Sequence, residues 1–315
     1  MIRAVCLNPT IDRNYFIREY AVGKLYRNTS VVSEAAGKGL NTAKVVSQLG
    51  ESCVCYGFIG EHNSEKILET LKLFSIGNGF ITIPGETRTT VNVIDQSHGM
   101  ETEIIEAGPF VSDDMTELLV DSLRREINPG DVVLCSGLPA PNVPNDIYIR
   151  ISKICETKGA YCILDTNGKN LRDSLDSHYL MIKPNARELC EIMDRPQTES
   201  KEELSDLAAK LLYCADHVLV SMGGHGGILV NRAGAWFLKV PTIQTVNTIG
   251  SGDSVVAGFA VAWLRNKTAL EAACFGLACG TANANTASVA HLDLNTLEHI
   301  LPEIQENALP LITKV

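Results

Sequence analysis

The sequence predicts an α/β protein, with a mostly parallel sheet covered by helices on both faces and a second, smaller sheet beside it. Three observations carry that reading. Short β-rich apolar runs alternate with helical patterns from one end of the chain to the other, which is how a parallel sheet with crossover helices is written. Two stretches, 12–36 and 80–106, break the alternation with β-type runs such as 87–94 and 101–106 and no helix between them. The 315 residues, 45% hydrophobic and 20% charged, suffice for one large core and exclude disorder, collagen and coiled coil.

Residues 2–7 read as the first strand. Leu40, Ala43, Val46 and Leu49 fall at helical spacing, so 40–49 is a helix. A strand follows at 54–59 and a helix at 65–73. Ser112 can cap a helix running to about 127, with Asp113 and Asp114 favourable in its first turn. Then come a strand at 131–135, a helix at 145–157, strands at 160–165 and 179–182, and a helix at 186–193. Ser200 with Glu203 matches a capping box before a helix to about 213. Strands are expected at 217–221, 227–231 and 236–240, and helices at 253–265 and 269–287. Ligands of such sheets bind beyond the carboxyl ends of the strands. The loops after Leu7, Ile59, Cys135, Asp165, Ile182 and Ser221 are therefore the places to look for a site.

Lysine plus arginine is 27 against 37 acidic residues, a formal charge of −10. Such a surface repels nucleic acid and anionic membrane, so neither is an expected partner. Any anionic ligand must be held by a local basic cluster. No apolar run approaches the roughly 20 residues of a membrane span, and the N-terminus reads as a strand, not a signal peptide. The expected location is the cytoplasm. None of the ten cysteines forms a CxxC pair, and most lie in apolar patterns. They are expected to be buried, reduced thiols, with no metal-binding spacing.

The most informative stretch is 247–258, NTIGSGDSVVAG. Gly250, Ser251 and Gly252 precede Asp253, and an apolar helix begins there. Small residues let backbone N–H groups approach a ligand, and the helix start adds unpaired donors and a positive dipole end. Charge developing on a transferred phosphoryl group would be stabilised there, and Asp253 could take the proton of an attacking hydroxyl. The alternative is that Asp253 merely caps the helix. The run AGKGLN at 36–41 is either a tight turn or a place where a polyol lies against Gly37 and Gly39 and bonds Lys38 and Asn41. SMGGHGG at 221–227 either wraps a nucleotide phosphate or is a glycine-rich turn, with His225 facing solvent. In KPNARE at 183–188, Glu188 either organises magnesium or is a surface residue. Lys24, Arg27, Lys38 and Arg88 are the basic side chains that could hold an anionic substrate. The phosphate-loop consensus G-x-x-x-x-G-K-[ST] is absent.

In order along the chain stand 7–12 (LNPTID), 36–41 (AGKGLN), 85–88 (GETR), 102–104 (TEI) with Gly108-Pro109, 164–168 (LDTNG), Lys183-Pro184-Asn185 with Glu188, and 250–253 (GSGD). Together they resemble the ribokinase-like carbohydrate kinases of the phosphofructokinase-B family, over essentially the whole chain. The branch they are most similar to contains 1-phosphofructokinase and tagatose-6-phosphate kinase. The resemblance implies a single ribokinase-like domain over 1–315, a three-layer sandwich with a β-sheet lid inserted at about 12–36 and 80–106. It implies ATP and Mg2+ as cosubstrate and cofactor, and a homodimer through paired lids. Asp253 matches the family's base, and Gly250, Ser251 and Gly252 its anion hole. Asp12, Gly37, Lys38, Asn41 and Arg88 match sugar-phosphate contacts. Lys24 lies where relatives use a lysine on the substrate phosphate, and Arg27 matches a basic lid residue. Ser221, Gly223, Gly224 and Gly226 match the nucleotide loop, with Asn283 near it. Lys183, Asn185 and Glu188 cover the motif that handles magnesium and phosphate.

One stretch departs from the family. Where relatives read S-G-S-L-P-P-G, residues 135–142 read CSGLPAPN. Gly137 falls where a serine is usual, and Ser136 stands one place earlier as its substitute. The implied activity is ATP-dependent phosphorylation of a hexose monophosphate, with fructose 1-phosphate first. Tagatose 6-phosphate and fructose 6-phosphate are the alternatives. A regulatory protein on a degenerate kinase fold would be expected to lack Asp253 or the glycines, which are present. A dinucleotide-dependent dehydrogenase would need G-x-G-x-x-G after the first strand, where Asn8-Pro9-Thr10 stands.

Overall fold

The structure, a computed structural model, describes residues 1–27 and 29–311. The chain opens with β1 (Ile2–Cys6), β2 (Thr10–Ile17), β3 (Ser30–Ala36), α1 (Lys38–Gln48), β4 (Cys53–His62) and α2 (Glu65–Leu73). It continues with β5 (Gly77–Glu86), β6 (Thr89–Asp95), β7 (Met100–Ile105), α3 (Asp113–Glu126), β8 (Val132–Ser136), α4 (Ile147–Lys158) and β9 (Tyr161–Asp165). Next are α5 (Gly168–Asp173), β10 (Tyr179–Ile182), α6 (Ala186–Ile192), α7 (Lys201–Ala209), β11 (Ala215–Ser221), β12 (Gly227–Asn231) and β13 (Gly234–Leu238). The last elements are α8 (Ser251–Leu264), α9 (Ala269–Ala284), α10 (Leu294–Glu306) and β14 (Ala308–Leu311).

Ten strands form the large sheet in the order β14-β13-β12-β11-β10-β9-β8-β1-β4-β5. From β11 to β5 every neighbour is parallel, and the β12, β13 and β14 pairings are antiparallel. The two-residue side-chain period sorts this sheet's strands between two cores. On β1, Ile2, Ala4 and Cys6 pack with residues of α1, α2, α8, α9 and α10. Val5, between them, faces the core under α3, α4, α6 and α7. Three layers result, as the alternation of elements predicts.

The small sheet has the order β3-β2-β6-β7. Its four strands come from the two stretches that break the alternation, with one correction. Residues 77–86, partly assigned to the small sheet from sequence, form β5 at the edge of the large one, parallel to β4. The second insertion thus begins at Thr89. Helix α9 ends at Ala284, not near 287, and the helix expected to about 213 gives way after Ala209 to a 3₁₀ turn. Residues 168–173 and 294–311 form α5, α10 and β14, elements that the sequence pattern does not announce. The latter stretch is amphipathic, burying Leu297, Ile300 and Ile304 on α10.

All ten cysteines are buried and unpaired, and burial pushes Cys6 up to about 11 and Cys53 up to about 12. Among the described residues no helix is long and apolar enough to cross a membrane. What matters most for the site is α8. Residues Asp253 to Ala262 are all buried, and small residues let α9 close on it: a Cβ on Gly258 would lie 2.9 Å from the Gly276 Cα. Such a helix cannot shift without disturbing the core, and its first turn is held as firmly as the sheet.

Candidate active site

Gly250 is the N-cap of α8, at φ +79°. A Cβ there would also meet the Ala290 nitrogen at 2.9 Å, so the turn admits only glycine. No side chain caps the helix. Among the described residues the amides of Gly252 and Asp253 have no backbone acceptor, so they stay open to an anion. Asp253 therefore does not act as the cap; it sits in the first turn with its carboxylate turned to α1. Asn41 Nδ2 donates to its Oδ2 at 2.9 Å. Lys38 Nζ lies 3.5 Å from its Oδ1.

The same ammonium lies 3.1 Å from Asp165 Oδ2, and Lys183 Nζ lies 3.1 Å from Asp165 Oδ1. Asp165 ends β9 and is buried. Burial pushes its carboxyl up, but Lys183 and Lys38 outweigh burial and hold it below the usual carboxylate range. Lys38 responds in kind: burial opposes its charge, and Asp165 and Asp253 raise it well above an ordinary lysine. Two ammonium groups and two carboxylates thus form a neutral chain. Lys183 also borders the helix start, since a Cβ on Gly252 would lie 3.5 Å from its Nζ. Open amides and a lysine thus stand together at the helix start, an arrangement suited to an anion.

The small sheet supplies the opposite wall. On β2 and β6, Thr10, Asp12, Asn14, Thr90 and Asn92 share one face by register and alternation. Thr10 and Thr90 bond at 2.9 Å, and Asn92 donates to Asn14 at 2.8 Å. Burial pushes the Asp12 carboxyl up to about 6. Four buried oxygens near these strand ends have no partner: Asn8 Oδ1, Asp12 Oδ1, Asn41 Oδ1 and Ser136 Oγ. Buried acceptors are seldom left empty, and a ligand rich in hydroxyls would fill them. Arg88 is fixed there by bonds to the Asn8 carbonyl at 3.0 and 3.2 Å and to the Glu106 carbonyl at 3.4 Å. Among the described residues no carboxylate makes an ion pair with it.

The predicted residues fare differently. Asp12, Lys38, Asn41, Arg88, Ser136, Lys183 and Asp253 gather around one cleft. Gly37, at φ +119°, starts α1 beside Pro9. Lys24 and Arg27 do not join them; both are exposed in the β2–β3 connection. The Asn283 amide is fully spent: Nδ2 bonds the Ile249 carbonyl and Ser251 Oγ at 3.0 Å, and Oδ1 accepts from His291 N. It is completely buried and holds the turn from behind rather than facing a nucleotide. Glu188 spends Oε2 on the Asn185 amide in a capping box with Asn185. Beyond β11, Gly223 and Gly224 are exposed, next to Ser221, whose amide bonds the Pro184 carbonyl. Gly226 is buried for another reason: a Cβ there would strike the Leu238 carbonyl.

Gly137 stands at φ +88°, where a serine would be strained. Glycine spares the turn that strain, and Ser136, at the end of β8, is the neighbouring hydroxyl. Sequence reasoning gave no role to Asp165 or Asn8. Both lie in motifs and loops it had marked, but neither charge pairing across 127 residues nor an empty acceptor is visible in one sequence.

A family model described as the pfkB family carbohydrate kinases matches residues 3–296. The chain belongs to this family. Membership makes it a carbohydrate kinase, transferring a phosphoryl group to an alcohol acceptor. Solved structures agree on the fold. A Staphylococcus aureus protein provisionally described as a phosphofructokinase is 29% identical, over 99% of this chain and 98% of that one, with a TM-score of 0.83. Phosphofructokinase-2 from Escherichia coli, solved with potassium, is 23% identical over 96% and 98%, with a TM-score of 0.90. A Thermotoga maritima protein, provisionally described as a 1-phosphofructokinase, is 23% identical over 99% and 100%, with a TM-score of 0.85.

The charge chain makes a stability prediction. Asp165→Ala leaves Lys38 without one partner and the buried Lys183 without its carboxylate. It should destabilise the protein by about 3–5 kcal/mol in urea unfolding. A loss under about 1 kcal/mol would mean the lysines find other partners.

Proposed function

We propose that this protein phosphorylates a hexose monophosphate with ATP, most readily fructose 1-phosphate. Tagatose 6-phosphate and fructose 6-phosphate are the alternatives. The observation that carries a phosphorylated acceptor is Arg88: a guanidinium fixed by carbonyls at the cleft with no carboxylate of its own. Lys38 is shared by two carboxylates, so Arg88 is the cation with charge to spare. A free sugar would give it no counter-ion.

In this reading the sugar lies between the small sheet and α1, with hydroxyls on Asp12 and Asn41 and its phosphate toward Arg88. Asp253 takes the proton of the attacking hydroxyl. Asn41 and Lys38 hold its carboxylate in place for that step. The Gly252 and Asp253 amides and Lys183 receive the charge developing on the transferred group. Ser221, Gly223 and Gly224 line the rim where the nucleotide would enter. Glu188 retains one carboxylate oxygen outside its capping box. One carboxylate plus ligand phosphates and water suits Mg2+, which rarely takes an all-protein cage; among the described residues there is no such cage. Bound there, the ion would neutralise phosphate charge. Closure of the small sheet as a lid would exclude water as a competing acceptor.

The reading includes a homodimer. The edge strand β7 is exposed throughout, and Val31, Met100, Ile104 and Ile105 are exposed apolar residues of the small sheet. Open edges of this kind need cover. Light scattering at micromolar concentration should give twice the chain mass; a single-chain mass would exclude the dimer.

An ADP-release assay with magnesium and the three sugar phosphates, plus free fructose, tests the reaction. One phosphate ester should be preferred, and Asp253→Asn should lower kcat by about 10²–10⁴ with folding intact. Near-normal turnover in that variant, or activity on free fructose alone, would sink the assignment.

Asp12 makes a pH prediction. If its carboxylate accepts a sugar hydroxyl, kcat/KM should fall about tenfold per unit below pH 6, and Asp12→Asn should lose that limb. Stability has the opposite sign: protonating this buried group favours the fold, so its contribution improves as pH falls through about 6. A limb unchanged in Asp12→Asn would assign it to another group.

A further inference from the structure

One face of α1 carries Lys38, Asn41, Lys44 and Gln48, at spacings of three and four residues. The first two bond the charge chain. The last two reach a different target. Lys44 is buried, and its Nζ donates to the Val289 carbonyl at 2.9 Å. Its ammonium also lies 5.8 Å from the centre of the Phe74 ring. Among the described residues no carboxylate pairs with it. Gln48, one turn on, donates to the Ala290 carbonyl at 2.9 Å and accepts from the Leu292 amide at 3.0 Å. Three side-chain bonds from one helix thus hold Val289, Ala290 and Leu292 of an irregular loop.

That loop is strained and stands against the anion hole. Ala290 is fully buried at φ +52°, a region alanine enters only at a cost. Its amide is the atom that a Cβ on Gly250 would strike. A buried lysine with no counter-ion is itself costly, and burial pulls it below its ordinary pKa. Two unfavourable features sit together directly behind the helix start whose amides face the cleft.

We propose that Lys44 is a positioning residue. Its ammonium, with Gln48, clamps the 289–292 loop against Gly250, and the loop in turn fixes the Gly252 and Asp253 amides where the transferred phosphoryl group develops charge. Asn283 ties the same two segments from the other side through Ile249, Ser251 and His291. α1 then sets both halves of the chemistry: Asn41 orients the base, and Lys44 the donors.

The inference rests on the phosphoryl-transfer reading, and its test separates the two. Lys44→Met keeps the length and removes the charge. It should lower kcat by about 10–100-fold, while the KM for the sugar phosphate moves by less than about threefold, since the loop makes no sugar contact. Lys44→Arg, which can still donate to the Val289 carbonyl, should recover most of the loss. Hydrogen exchange should quicken at the amides of 250–253 and 289–292 in Lys44→Met and in Gln48→Leu, and stay unchanged at β8 and β9. A folded Lys44→Met with wild-type exchange in both segments, or with kcat within twofold of wild type, would overturn the proposal. If Lys44→Met does not fold, Gln48→Leu carries the same measurements. If the wild-type protein phosphorylates no sugar phosphate, the kinase reading has failed, and exchange alone decides whether the clamp exists.

Discussion

Asp165 is the group on which the rest of the site depends. Both its oxygens are bound, one by Lys38 and one by Lys183. Those lysines come from different parts of the fold, one from the first turn of α1 and one from just beyond β10. Without the carboxylate, two ammonium groups would face each other in a buried place, and each would turn elsewhere or lose its proton. With it, Lys38 is free to touch Asp253 and Lys183 to stand beside Gly252. The sheet positions Asp165 with little freedom, because β9 lies between β8 and β10. The order of the central strands is thereby carried into the order of the charges.

The second wall works by a different principle. The large sheet gives ionic groups whose places are fixed by burial. The small sheet gives hydroxyls, amides and one carboxyl, with an oxygen of Asp12 and one of Asn92 left without a partner. Unpaired acceptors are costly in an empty cleft and rewarding in a filled one. The cleft is therefore polar on one side and ionic on the other.

Much of this was legible in the sequence. Strand–helix alternation gave the three layers, and its interruption located the second sheet, because β-periodicity without an intervening helix cannot feed a parallel crossover. β5 was misassigned in part because a strand at the edge of a large sheet and one in a small sheet share a pattern. Asp253, Lys38, Asn41 and Arg88 stand out in the sequence because glycines and charges cluster at helix starts and loop ends, and the structure brings them to one cleft. Asp165 was passed over because its value lies in two partners distant along the chain. Asn283 was assigned to a ligand because a single sequence cannot show whether an amide is already satisfied. Lys24 and Arg27 stand apart from the cleft, exposed between β2 and β3.

The helix that carries Asp253 is buried on every side, whereas the sheet facing it has two open edges and touches the rest of the molecule at few points. Changes to α8 therefore reach the whole core, and changes to the inner face of the small sheet reach little besides the cleft. The buried first turn of α8 and the exposed small sheet are thus separate pieces of the chain, joined at the cleft by Asn41 of α1, which bonds Asp253. Substitutions on the inner faces of β2 and β6 can therefore reshape the polar side of the cleft while leaving α8 and the fold around it intact.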